Sequence, residues 1–152
     1  MNSKMRELIN KLAEDVIETC NINIQDSIEN IVNKLGGRVE ETSSLSSFDG
    51  AIIKTNDYSF VIRISAFQSE TRKRFTVAHE IGHLFLHMGY MIDSSKWEEQ
   101  KMDVALYFRN GNSELEYEAN EFAAALLMPR QMYPKMQHRY EENFWVIWSG
   151  KE

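Results

Sequence analysis

The sequence has almost no cysteine: Cys20 is the only one in 152 residues, so no disulfide can form within the chain. Such a composition is typical of a reducing compartment, and we expect a cytoplasmic protein. Long apolar runs are missing too. The longest, at 122–128 and 144–148, are far shorter than the roughly 20 residues that cross a bilayer. The N-terminus lacks the continuous apolar core of a signal peptide, so we expect no association with a membrane.

Basic residues are scarce relative to acidic ones: there are 17 Lys and Arg against 23 Asp and Glu, a formal net charge of -6 at pH 7. An acidic surface repels phosphates, so we expect no direct binding of nucleic acid. Apolar residues make up 43% of the chain, which is enough for a hydrophobic core. The length fits one ordinary domain. We therefore expect a single domain over 1–152, without an appended sensor or DNA-binding domain.

Hydrophobic periodicity predicts a mixture of helices and short strands. The predicted helices lie near 4–20, 26–35, 69–88, 114–128 and 130–143, and the predicted strands at 38–41, 51–54, 58–64 and 104–109. Gly36 and Gly37 should end the second helix. Asn56 and Asp57 are expected to form a hairpin turn between the second and third strands. The expected fold class is α+β, with helices packed on a small mixed or antiparallel sheet.

Residues 79–83 form an H-E-x-x-H motif. On a helix, His79 and His83 are about one turn apart and point the same way, so they can chelate one metal ion. Glu80 lies about 100° round the helix from His79, which lets it reach a water molecule without binding the metal. The motif therefore predicts two metal ligands and, in Glu80, a catalytic base. The alternative is a helix with two satisfied histidines and a surface glutamate.

The helix that carries this motif is expected to be buried. Its polar residues project onto one arc of roughly 100°; they are Thr76, His79, Glu80, His83 and His87. The stretch 75–88 contains no Lys, Arg or Asp, which a surface helix would carry on its wet side. An unpaired buried carboxylate is costly, which disfavours a bystander role for Glu80. The polar arc should therefore line a cleft.

A catalytic zinc site needs a third protein ligand and one open position. In the helix near 114–128, the residues that project onto the expected solvated face are Glu114, Glu118, Glu121 and Ala125. Glu116 falls on the opposite face, which alanines line, so it is the predicted third ligand. The alternative is that Glu116 completes a capping box with Ser113. On this projection Glu116→Gln should weaken zinc retention, whereas Glu118→Gln should hardly matter.

Two further residues are candidates for orienting the ligands. Asn120, one turn beyond Glu116, could hydrogen-bond a ligand histidine, or it could be an amide on the helix surface. His87 extends the polar arc, and we expect it to support a ligand or to pack rather than to bind the metal. The longer metzincin signature does not fit, because its third histidine would fall at Gly89.

These residues resemble the ImmA/IrrE family of metallo-endopeptidases. That family has an Arg-Phe pair, an AHEhGH helix and the motif E-x-x-A-[ND]-x-F-A-A-x-L-L-M-P; the chain has Arg74-Phe75, AHEIGH at 78–83 and EYEANEFAAALLMP at 116–129. The resemblance implies a zincin-like fold, one Zn²⁺ per chain and a glutamate third ligand of the gluzincin type, for which Glu116 is the matching position. It also implies that the substrate is a helix-turn-helix repressor of a mobile element or stress regulon.

The implied reaction is hydrolysis of a peptide bond, in which Glu80 moves a proton from water to the leaving amine. The developing oxyanion needs a further hydrogen-bond donor. The candidates, among which the sequence does not choose, are Tyr107, Arg109, Tyr117 and His138. The strand at 58–64 could accept the substrate as an added strand if it lies at the sheet edge; otherwise it is an ordinary core strand.

Two other functions are compatible with the sequence. One is a partner-binding module with a structural zinc, although such sites usually have four protein ligands and more cysteine than this chain owns. The other is a regulator, for example a toxin–antitoxin component, that binds a transcription factor without cutting it. The apolar segment 144–148 could pack on the core or form a surface for a partner.

Overall fold

The computed structural model describes residues 1–43, 50–106 and 113–129. The helices in these ranges are α1 (Ser3–Thr19), α2 (Ile28–Leu35), α3 (Glu70–Leu86), α4 (Ser94–Glu98) and α5 (Ser113–Leu127). The strands are β1 (Gly37–Thr42), β2 (Gly50–Asn56), β3 (Ser59–Ser65) and β4 (Ala105–Leu106). The predicted α+β class is confirmed. The predicted helix at 130–143 and the apolar segment 144–148 lie outside the described residues.

Local sequence signals account for most helix boundaries. Four helices begin at a side chain that accepts a hydrogen bond from a backbone N–H in the first turn; these residues are Asn2, Ser27, Ser69 and Asp93. As predicted, α2 ends at the glycine pair, where Gly36 has a φ of 102° that favours glycine. Periodicity did not indicate α4, because its five residues are too few to show a helical repeat.

The four strands form one mixed sheet in the order β1-β3-β2-β4. β1 pairs in parallel with β3, and β2 pairs antiparallel with both β3 and β4. β3 therefore lies inside the sheet, so the edge-strand alternative for 58–64 is wrong and the core-strand alternative is confirmed. The hairpin turn lies at Asp57 and Tyr58, one residue later than predicted, because β2 continues through Asn56.

The three long helices form a layered arrangement with the sheet. α3 packs against β2 and β3 on one side and against α5 on the other, and α5 also packs against α1. Every residue of α3 from Phe75 to Phe85 is buried, as predicted for the helix that carries the H-E-x-x-H motif. Among the described residues, no helix has the length and apolar character needed to cross a membrane.

Candidate metal centre

The candidate centre lies where α3 packs against α5. His79 and His83 project from α3, and Glu116 projects from the first turn of α5. The Nε2 atoms of the two histidines are 3.2 Å apart. Glu116 Oε1 lies 2.8 Å from His83 Nε2, and Glu116 Oε2 lies 3.3 Å from His79 Nε2. The structure thus brings the three predicted ligands together.

A metal ion fits this triangle of atoms. In a tetrahedral zinc site with bonds of about 2.1 Å, neighbouring ligand atoms lie about 3.4 Å apart. The separations in the structure, from 2.8 to 3.3 Å, are close to that value. The two nitrogens and the carboxylate also form a donor set that zinc prefers. His79, His83 and Glu116 could therefore hold a metal ion.

The electrostatics of the cluster favour the protonation states that bind metals. Burial lowers the pKa of the His83 imidazole to about 4, and this outweighs the opposing effect of its hydrogen bond with Glu116. Burial raises the pKa of Glu116, but the hydrogen bonds with His79 and His83 prevail and lower that pKa to about 2. At neutral pH the cluster therefore presents a neutral His83 and an ionised Glu116, which are the states that ligate.

Gly82 explains how the two helices come close enough to form the cluster. A Cβ atom at this position would lie 2.9 Å from the carbonyl oxygen of Ala119 and 3.0 Å from its Cα atom. Those distances are too short for a side chain, so glycine is needed for α5 to approach α3 here. Ala119 follows Glu116 by about one turn, and the same close approach brings the Glu116 carboxylate to the histidines.

Asn120 contacts the first histidine on the side of its ring away from the cluster. Asn120 Oδ1 lies 2.7 Å from His79 Nδ1. Because a carboxamide oxygen only accepts, this contact favours the His79 tautomer with its hydrogen on Nδ1, which leaves the Nε2 lone pair for a metal. The structure places Asn120 against a histidine, as one of the two alternatives for it predicts, rather than on an open helix surface.

His87 contacts the Nδ1 atom of His83, as Asn120 contacts that of His79. Its Nδ1 lies 2.7 Å from His83 Nδ1, and its Nε2 lies 2.9 Å from Glu118 Oε1. The side chains of His87 and Glu118 are only 8% and 14% exposed, so this is an interior contact. The prediction that Glu118 points to solvent is wrong, because its carboxylate contacts His87 in the interior. The expectation that Glu118→Gln hardly affects zinc retention stays a prediction.

The expected solvated face of α5 is also wrong at two further positions. Glu121 is buried; it accepts a hydrogen bond of 2.8 Å from Asn10 Nδ2 and forms an ion pair with Arg6, both on α1. Ala125 is buried as well. The physical reason is that α5 lies between α3 and α1, so helical projection against a single core side assigns the wrong environment to its second face.

Glu80, the predicted catalytic base, is buried beside the first residue of β2. A Cβ atom on Gly50 would lie 3.0 Å from Glu80 Oε1 and 3.1 Å from its Cγ. Glycine at this position therefore leaves room for the carboxylate next to the sheet. Sequence reasoning missed Gly50, since a lone glycine before an apolar run carries no signal of what faces it.

Of the four oxyanion candidates, Tyr117 alone falls within the described ranges. It follows Glu116 on α5, and its side chain is about half exposed. The other three, Tyr107, Arg109 and His138, lie outside the described residues.

The sequence of the chain matches a known peptidase family. The family model Peptidase_M78, described as the IrrE N-terminal-like domain, matches residues 33–143, which is more than half of the chain. The chain belongs to this peptidase family. Membership in Peptidase_M78 confirms the resemblance inferred from the H-E-x-x-H helix and the motif at 116–129. No curated protein matches the chain closely enough to count as a relative.

Proposed function

We propose that this Peptidase_M78 chain is a zinc-dependent endopeptidase that hydrolyses a peptide bond in a protein partner. One observation carries the proposal. Two histidine nitrogens and the Glu116 carboxylate converge at separations suited to a tetrahedral ion, with the buried Glu80 next to His79 in the chain. Three protein ligands and an open fourth position are the arrangement of catalytic zinc, whereas structural zinc takes four protein ligands.

The proposed roles follow from where each residue lies. His79, His83 and Glu116 would hold the ion. When bound, zinc supplies Lewis acidity, which polarises a carbonyl group and lowers the pKa of water. Glu80 lies on the same helix face as the histidines without joining the triangle. This position supports the proposed role of Glu80, which is to accept a proton from the attacking water and to deliver it to the leaving amine.

An edge of the sheet offers a place for an extended substrate. β4 is the terminal strand of the sheet, and within the described residues it pairs with β2 alone. Leu106 on β4 lies opposite Ile52, two residues from Gly50, and Gly50 borders Glu80. We propose that a substrate segment adds along β4, where strand hydrogen bonds would hold its backbone. The β4 edge thus replaces the strand at 58–64, now β3, as the proposed site of substrate addition.

The proposed substrate is a helix-turn-helix transcriptional repressor. The family resemblance supports this substrate class, and the net charge of -6 supports a partner with a basic surface. A DNA-binding domain has such a surface, because it must neutralise phosphates.

The test is to incubate the cognate repressor with the zinc-loaded protein and to follow its intact mass. We expect a single cut with the unchanged protein and none after treatment with a chelator. Glu80→Gln should still bind zinc, since Glu80 is not a ligand, but it should lose cleavage by at least about 100-fold, the lower range for loss of a general base. Glu70→Gln is the matched control, because Glu70 lies on the same helix and is exposed.

The same experiment separates cutting from binding. If Glu80→Gln relieves repression as well as the unchanged protein does, the chain acts by binding its partner, and the peptidase proposal fails. Cleavage that persists unchanged in Glu80→Gln would contradict the assigned base.

A further inference from the structure

The two histidines of the candidate centre differ in the group that contacts their Nδ1 atom. His79 makes its Nδ1 contact with an amide oxygen, which can only accept a hydrogen bond. His83 instead contacts a second imidazole, His87, whose nitrogen can either donate or accept. The His83–His87 contact therefore does not by itself decide which nitrogen of His83 carries the hydrogen.

Two carboxylates favour opposite positions for the hydrogen of His83. Glu116 Oε1, 2.8 Å from His83 Nε2, favours a hydrogen on that nitrogen, which would occupy the lone pair that a metal needs. Glu118 Oε1, 2.9 Å from His87 Nε2, favours a hydrogen there. His87 Nδ1 is then an acceptor, and His83 must donate to it from Nδ1. Only this second assignment leaves His83 Nε2 bare toward His79 and Glu116.

The two hydrogen bonds that connect Glu118 through His87 to His83 are well shielded from water. The exposed fractions of the side chains are 14% for Glu118, 8% for His87 and 0% for His83. Hydrogen bonds in such surroundings are strong, and successive bonds polarise one another. These hydrogen bonds connect two helices, since Glu118 lies on α5, His83 lies on α3 and His87 directly follows the last residue of α3.

We propose that Glu118 is a positioning residue which, through His87, fixes the His83 tautomer that can bind the metal. This inference rests on the proposed zinc site and deepens it. Glu118 is not one of the three candidate ligands; it would set the hydrogen position of His83 through two successive hydrogen bonds. α5 thus contributes a ligand in Glu116 and, two residues later, the group that prepares another ligand.

The first test measures zinc affinity by chelator competition with zinc-free protein. We expect Glu118→Ala to weaken zinc binding about tenfold, the lower end for groups that orient ligands. Glu118→Gln should recover most of that loss, because its amide oxygen can still accept from His87. Glu114→Ala, an exposed position in the first turn of α5, is the matched control and should leave the affinity unchanged.

A double-mutant cycle shows whether Glu118 acts through His87. His87→Phe should weaken zinc binding, and adding Glu118→Ala should weaken it no further, because the connection is already broken. Additive losses would mean that Glu118 acts on the ion directly by its charge, and the proposal would be overturned.

The second readout is the nitrogen chemical shift of the imidazoles in the zinc-free protein, because a bound zinc would itself fix the hydrogen of His83 on Nδ1. We expect the hydrogen of His83 on Nδ1 and that of His87 on Nε2, with mixed His87 tautomers in Glu118→Ala. A His87 hydrogen on Nδ1 in the unchanged protein would overturn the proposal, even if Glu118→Ala failed to fold. Neither readout needs cleavage. If zinc binding follows this pattern but no repressor is cut, the proposed function fails and this inference stands.

Discussion

Glu114 and Glu116 lie in the same first turn of α5 and differ in what their side chains reach. Glu116 contacts both histidines of the candidate centre, whereas Glu114 is exposed. We expect Glu116→Gln to weaken zinc binding by more than about 100-fold, beyond the range for groups that only orient a ligand. Glu114→Gln should leave the affinity unchanged. Chelator competition measures both, and equal losses would contradict the ligand assignment.

His83 makes the stability of the metal-free protein depend on pH. Its pKa falls from 6.5 to about 4 on folding, so below pH 6.5 the unfolded chain binds a proton that the folded chain does not. Stability should be fully present above about pH 6.5 and decline as the pH falls toward 4. The loss attributable to His83 should be on the order of 3 kcal/mol. Burial also lowers the pKa of His87, which acts in the same direction.

Urea unfolding of chelator-treated protein across this pH window provides the measurement. His83→Gln should show a weaker pH dependence than the unchanged protein, because one of the two histidines no longer titrates. Stability that rises as the pH falls from 6.5 to 4 would contradict the assignment of a neutral, buried His83.

At the scale of the elements, Gly82 controls the spacing between α3 and α5. Gly82→Ala should gain about 1 kcal/mol in helix propensity, but overpacking against Ala119 costs about 1–3 kcal/mol. We expect a net loss of stability together with weaker zinc binding, since α5 carries Glu116. Thermal unfolding and chelator competition test this. Thr71→Ala, an exposed position on α3, is the control, and a stabilised Gly82→Ala with unchanged zinc affinity would contradict the expectation.

The elements also show what the sequence could and could not predict. The spacing of His79 and His83 on one helix, and the position of Glu116 within its family motif, are local patterns, and they indicated the cluster that the structure assembles. The projection is wrong for Glu118 and Glu121 because their partners lie far away in the chain: His87 directly follows α3, and Asn10 lies on α1. A helical projection contains no information about a second neighbouring helix.

The order of the strands in the sheet could not be predicted from local sequence patterns either, because it depends on contacts between distant segments. The run at 58–64 has the composition of a strand, but whether it is central or at an edge depends on which strands pair with it. β1 pairs in parallel with β3 rather than with β2, the next strand in the sequence. This pairing makes β3 central. α4 and the contact of Gly50 with Glu80 likewise depend on long-range packing.

At the scale of the whole molecule, the net charge of -6 should affect how fast a basic partner is captured. We expect the association rate of the repressor with Glu80→Gln, which binds without cutting, to fall roughly tenfold as ionic strength rises from about 0.01 M to about 0.1 M. Stopped-flow or surface-based kinetics measure this rate. A rate independent of salt would remove the electrostatic argument for a basic partner, although not the peptidase proposal.

The contact between His83 and Glu116 joins positions that are 33 residues apart, and the chain between them includes α4 and β4. If α5 lifts away from α3 in a local opening, the three-residue cluster is broken, so any bound ion must first leave. At a free zinc concentration about 100 times the dissociation constant, this requirement adds roughly 2.7 kcal/mol to the cost of opening. The ion would thus link the two ends of the intervening segment, slowing amide hydrogen exchange and proteolytic nicking in its described part. A chain whose only thiol is Cys20 has no disulfide to do the same.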